Sequence, residues 1–363
     1  MQIGGVTIDI SKVEMIVKVF VIREVDMKRI GFYLIMLIGM MLCWGCGDHK
    51  ITESTETEAG LSEYRMAQLD MTQICGFGKV QDEYVCIGEA ENGGYIRLTG
   101  EKPDGDFRQE ELKLDSVMDE TDMITAADMD EAGSLYLAVS RMDDKRDITG
   151  RIVKVMPDDT VQILADHIEE NVKNIRLTAD GYIIGCADGV IQCFSMEGQK
   201  KYEIENSDYT DICVAGDKLV VLTARDIETY DISDGHMLET ITSFDDTLTE
   251  GLEDAASEKG KDALSCSNIM KYDEKSDQIY IMLGTGLFAY KLSDKLGTRL
   301  TTFKSADIRY DFVVEDSDTF VAVTGDKSGN KRIVVYSSSD AYAAYNSTKE
   351  ASDSLSLIHI SEP

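Results

Sequence analysis

The feature that most limits what this chain can become is a phrase repeated six times between Ile74 and Ser337. Each copy holds an apolar strand, a tight polar turn, a second and more apolar strand, another turn, and a third strand ending in charge. The copies read ICGFGKVQDEYVCIGEA from Ile74, ITAADMDEAGSLYLAVSRM from Ile124 and IRLTADGYIIGCADGVIQCFS from Ile175. They continue as ICVAGDKLVVLTARDIETYDIS from Ile212, IMKYDEKSDQIYIMLGTGLFAYKLS from Ile269 and FVVEDSDTFVAVTGDKSGNKRIVVYS from Phe312. Their central turns fall near Asp82, Gly133, Gly181, Asp217, Asp277 and Asp318, at intervals of 51, 48, 36, 60 and 41 residues. Runs such as Leu219 to Leu222 and Ile279 to Leu283 have strand length and are bracketed by turn formers, without the spacing of three and four that a helix needs. Pro103 and Pro157 sit in the turns KPDGD and MPDDT, where a fixed φ and a missing donor do little harm.

A period scattered around roughly 40 to 50 residues is that of a four-stranded propeller blade. The expected fold is therefore all-β, a β-propeller over residues 69–345 with six visible repeats. Seven or eight blades follow if Arg97 to Leu114 and Arg151 to Leu164 belong to blades of their own. Between the fourth and fifth repeats the charged insertion FDDTLTEGLEDAASEKGKDALS, Phe244 to Ser265, breaks the period and reads as a solvated loop, with a contact surface as the alternative.

A formal charge of −32 argues against nucleic acid as a partner, because such a surface gains nothing from counterion release. No nucleophile elbow, zinc-protease helix or phosphate loop is present, so no catalytic residue, enzyme activity or cofactor is expected. Acidic pairs such as Asp143 with Asp144 and Asp158 with Asp159 are what turns in so acidic a chain contain. The segment DMDEAGS gives a weak calcium candidate at Asp128 and Asp130, lacking the closing bidentate carboxylate. Cys75, Cys86, Cys186, Cys193, Cys213 and Cys266 show no zinc spacing. They read as buried thiols, with a Cys186–Cys193 bridge across a hairpin left open.

Upstream, MKRIGFYLIMLIGMMLCWGCGDHK from Met27 has a basic start, an apolar run from Ile30 to Cys43, and Gly45 just before Cys46. It resembles a bacterial lipobox, with Cys43 and Trp44 departing from the usual residues there. The resemblance implies a signal peptide over 27–46 and lipidation of Cys46 as the first mature residue. Residues 1–26, acidic ahead of the basic start, read as an overcalled upstream extension, and 47–68 as a flexible acidic tether. After a linker at 346–354, LSLIHISEP at 355–363 resembles the translation of a sequencing adapter, so natural sequence is expected to continue beyond Ser354.

The hairpin phrase TARDIETYDISDGHMLETI from Thr223 and the segments LGTGLFAYKLSDKLGTRL from Leu283 and KRIVVYS from Lys331 are similar to those of loosely patterned bacterial envelope propellers. With the lipobox and tether, the chain resembles the N-terminal half of clostridial surface lipoproteins, in which a propeller precedes the solute-binding domain of an ABC importer. That implies a lipid-anchored protein on the extracellular face of the cytoplasmic membrane, with an importer permease as partner and a ligand the sequence does not specify. The alternatives are a freestanding surface propeller for a protein, peptide or glycan, and, third, a propeller lyase or glycosidase.

Overall fold

The computed structural model describes residues 2–3, 6–7, 341 and, with gaps of which 242–268 is the longest, residues 61–338. Cys46 with its signal segment, most of 1–26, the tether up to residue 60, the insertion at 244–265, Cys266, and the segments 346–354 and 355–363 lie outside the described residues. Within residues 1–55, Gln2–Ile3 pairs antiparallel with Val6–Thr7.

Residues 62–337 form six four-stranded antiparallel sheets arranged as the blades of a propeller. Blade 1 comprises Gln73–Val80, Glu83–Glu89, Tyr95–Gly100 and Arg108–Glu111. Blade 2 comprises Met123–Met129, Leu135–Met142, Ile148–Val155 and Val161–Ile168. Blade 3 comprises Val172–Thr178, Gly181–Cys186, Val190–Ser195 and Lys200–Glu205. Blade 4 comprises Tyr209–Ala215, Lys218–Thr223, Ile227–Asp231 and Met237–Ile241. Blade 5 comprises Ile269–Asp273, Gln278–Leu283, Gly286–Lys291 and Leu296–Thr302. Blade 6 takes Ile308–Asp316, Thr319–Gly325 and Lys331–Ser337 from the end of the ring, and its fourth strand, Ser62–Leu69, from the beginning.

Among the described residues the count is thus six blades. Arg97 to Leu114 and Arg151 to Leu164 supply third and fourth strands to blades 1 and 2, not blades of their own. The tether expected through residue 68 gives way earlier. Ser62 to Gln68 lie in the strand that pairs with Lys331–Ser337, in a register running from Ser62 opposite Ser337 to Leu69 opposite Lys331. Tyr64 and Met66 from that strand pack on the apolar cluster between blades 6 and 1, and Leu69 is buried within it.

The repeats fold this way because the second strand of each blade is covered on both faces. Gly181–Cys186 and Thr319–Gly325 are buried along their whole length, and each holds an unbroken apolar run, Tyr182 to Ile184 and Phe320 to Val323. Outer strands such as Lys200–Glu205 are mostly exposed and correspondingly polar. The core is not one mass but six apolar slabs, one at each blade interface, so the ring closes by repetition of a nearest-neighbour contact. The turns expected near Asp82, Gly133, Asp217 and Asp277 carry left-handed φ values at Gln81, Gly133, Gly216 and Asp277.

Candidate functional site

The first strands of the blades contact one another around the axis, and they are not regular. In five of them a one-residue bulge interrupts the ladder near the start. The breaks lie between Ile74 and Gly76, Ile124 and Ala126, Val172 and Asn174, Tyr209 and Asp211, and Arg309 and Asp311. The strand of blade 5 pairs without interruption from Ile269. A regular strand sends consecutive side chains to opposite faces; a bulge lets two neighbours share one. The extra residues are Cys75, Thr125, Lys173, Thr210 and Tyr310. All but Thr210 line a polar cavity of about 140 Å³ at the axis, where Asn174, Arg176, Asp211 and Asp311 also converge.

Carboxylates at this mouth tie blades together. Asp311 Oδ2 accepts the Phe77 amide of blade 1 at 3.2 Å, while its Oδ1 accepts the Phe312 amide at 2.9 Å and lies 2.9 Å from Lys271 Nζ of blade 5. Asp211 Oδ2 accepts the Met270 amide of blade 5 at 2.7 Å, and its Oδ1 accepts Asn174 Nδ2 of blade 3 at 2.8 Å. Arg176 Nη2 reaches both Asp211 oxygens, at 3.1 and 3.3 Å. Asp128 repeats the device between blades 2 and 3, its Oδ2 accepting the Leu177 amide at 3.0 Å. Blades 2, 4 and 6 therefore each lend a carboxylate to the backbone of the next blade, satisfying buried amides. Blade 1 has Gly76 at the position of Asp211 and Asp311. A Cβ there would stand 2.5 Å from the Ala127 carbonyl, so no side chain fits.

Electrostatics follow from burial. Burial pushes the Asp211 carboxyl above its ordinary range, opposed by Arg176 and by the amides of Met270 and Ile212. Every side-chain or amide contact of Asp211 named above is a donor, which holds it as an acceptor. Burial works against the Arg176 charge, yet Asp211, Asp311 and Asp128 lift its pKa above the ordinary value. Its remaining donors go to carbonyls, Nε to Ile212 at 3.0 Å and Nη1 to Ile175 at 2.9 Å. Because a carboxylate only accepts, Asn174 must turn Nδ2 toward Asp211, which leaves its buried Oδ1 without a partner. Lys173 is exposed.

The residues singled out in the sequence separate here. Asp128 serves the blade junction, whereas Asp130 caps its own hairpin, Oδ1 accepting the Ser134 amide at 2.8 Å with Lys154 Nζ 3.6 Å from Oδ2. Asp158 likewise accepts the Thr160 amide in a turn, and Asp159 pairs with Lys113; Asp143 and Asp144 lie outside the described residues. The five described cysteines are free, and Cys193 faces Ile183 across the ladder, not Cys186. Burial pushes the thiols of Cys186 and Cys213 up to about 12, and that of Cys75 higher still, so none is a ready nucleophile. One group of metal-type ligands exists among the described residues: Asp231, Asp234 and His236 in the turn of the phrase from Thr223. Its contacts are those of the turn, with Asp234 Oδ1 2.6 Å from His236 Nδ1 and Asp231 accepting the Ser233 amide and hydroxyl.

Asp211, Asp311 and Asn174 were not foreseen. Their one signal is position: each stands immediately before the apolar residue that opens its repeat, Ile212, Phe312 and Ile175.

No family model and no curated protein matches the chain. Among solved structures it is similar to BamB from Moraxella catarrhalis, at 10% identity over 75% of this chain and 77% of that one, with a TM-score of 0.40. It is similar also to the WD40 domain of Neurospora crassa Pan2, at 7% identity over 77% and 97% of the two chains, TM-score 0.49. A third is YCF48 bound to a D1 peptide, at 9% identity over 77% and 97%, TM-score 0.48. The fold assignment rests on the sheets of this chain itself, a six-bladed all-β propeller.

Proposed function

We propose that the chain is a non-catalytic binding or scaffold propeller that engages a partner at its axial mouth. The observation that carries this reading is the commitment of the charged groups there. Arg176, Asp211 and Asp311 are engaged in holding neighbouring strands together, each by several contacts within the ring, while Lys173 is exposed at the mouth. A general acid or base needs a group with capacity to spare.

The finer reading places this propeller on the extracellular face of a cytoplasmic membrane, lipid-anchored through Cys46, as the N-terminal part of an importer's solute-binding component. Its support is the lipobox-like run ending in Cys46 and the phrasing of the repeats. Metabolic labelling with a fatty acid tests the anchor: the label is expected on the protein and lost in Cys46→Ala. Gentle solubilisation of the membrane-anchored protein is then expected to bring an importer permease with it. Recovery of the labelled protein with no permease would reject the importer role and leave a freestanding surface propeller.

A further inference from the structure

The axial mouth, read above as a binding site, also shows what it is built to take. The bulge between Val172 and Asn174 places two consecutive side chains, Lys173 and Asn174, on one cavity, which a regular strand would forbid. Of the charged side chains lining that cavity, Asp211 is answered by Arg176 and Asp311 by Lys271. Lys173 has no ion-pair partner among the described residues, and an unanswered ammonium in a chain of net charge −32 is where an anion gains most.

Beside it, Asn174 Oδ1 is a buried acceptor in want of a donor. Two protein donors that line the cavity are engaged elsewhere: the Thr125 hydroxyl donates to the Val172 carbonyl at 2.6 Å and the Cys75 thiol to the Ile124 carbonyl at 3.3 Å. An amine alone would find Asp211 and Asp311 already supplied with donors. An anion alone would leave Asn174 unanswered.

We propose that the axial mouth binds a small carboxylate bearing an N–H or O–H donor on the adjacent carbon, with the carboxylate on Lys173 and the donor on Asn174 Oδ1. Two sources share this chemistry: a free amino or hydroxy acid, and the C-terminal residue of a peptide, whose own amide lies next to its carboxylate. The cavity of about 140 Å³ is in the size class of one that admits benzene, so it holds a free acid of a few heavy atoms or a single terminal residue.

Calorimetric titration of the purified full chain with glycine, N-acetylglycine, acetate and glycinamide tests this. Glycine or N-acetylglycine is expected to bind, acetate about tenfold more weakly, and glycinamide not measurably. Binding of glycine alone identifies the free acid, and binding of N-acetylglycine identifies the peptide end. Lys173→Gln is expected to weaken the bound probe by about tenfold or more, with Lys173→Arg restoring it, and Asn174→Ala to erase the preference over acetate. Lys173 is exposed, so its two variants should keep the wild-type near-UV spectrum. The proposal is overturned if neither acid binds, if glycinamide binds as tightly, or if Lys173→Gln changes nothing. Glycinamide binding would reject the carboxylate while leaving the mouth a binding site, and failure to recover a permease bears on the importer role alone.

Discussion

At the axis, Asp211 meets Arg176 through one guanidinium nitrogen at 3.1 and 3.3 Å; in blade 2, Asp122 meets Arg141 through two nitrogens, each at 2.7 Å. Both carboxylates are buried, yet they shift in opposite directions. Burial works against the Asp122 charge, but the Arg141 fork and the Asp119 amide outweigh it, and the carboxyl titrates below the ordinary range. At Asp211 burial wins. The difference lies in the partner. Arg141 keeps 34% of its side chain exposed and meets carboxylates only in the contacts named, both arms of its fork on Asp122 with Nη2 also 2.6 Å from Asp119, whereas Arg176 is 15% exposed and divides its donors among Asp211 and two carbonyls. A fork near water makes a strong, cheap clamp. A shared one at the axis costs more in desolvation and returns geometry, holding blades 3, 4 and 5 at one point.

Breaking the axial pair should therefore hurt most. Arg176→Met leaves Asp211 buried without its cation and is expected to lower stability by about 3–5 kcal/mol, with Arg176→Met/Asp211→Leu recovering most of the loss. Urea unfolding measures both, and a single-variant loss under about 1 kcal/mol would mean that the axial charge is not truly enclosed. Next comes Gly76→Ala, which drives a Cβ against the Ala127 carbonyl and should cost about 1–3 kcal/mol by pushing blades 1 and 2 apart. Arg141→Met should cost less, about 1–2 kcal/mol once solvent screening of its exposed third is allowed for, and the cost should shrink with added salt.

Acid should separate the two carboxylates by sign. The folded value of Asp122 is depressed, so its contribution is complete above about pH 4 and disappears as pH falls through the folded value; the gap between wild type and Asp122→Asn should close there. The folded value of Asp211 is raised, so folding takes up a proton and this group adds stability as pH falls through that value. Asp211→Asn should remove that gain from the urea midpoints as pH falls through the folded value. Smallest of all, Lys173→Gln should leave stability within about 0.5 kcal/mol, because the side chain is exposed.

Second strands were legible in the sequence because burial on both faces writes them as uninterrupted apolar runs, Tyr182 to Ile184 or Phe320 to Val323. Fourth strands were not, since Lys200–Glu205 faces water and reads as a charged linker. The closing strand was hidden for a further reason. Its partner, Lys331–Ser337, lies at the far end of the ring, and no local window shows that Tyr64 and Met66 meet a cluster there. Asp211, Asp311 and Asn174 escaped because a polar residue before an apolar run looks like the end of a turn. A bulge shifts the facing of everything before it by one residue, so alternation does not disclose that such a side chain points to the axis.

The register of the closing strand has a mechanical consequence. Ser62 stands opposite Ser337, so the segment leading into the ring and the segment leaving it depart from the same corner of blade 6. Tension between those two segments would load the ladder at its first rung and part it one hydrogen bond at a time toward Leu69 and Lys331, as a zipper opens. Whatever is joined at either side of the ring thus shares a single pivot, and the seam is the place where pulling would open the circle.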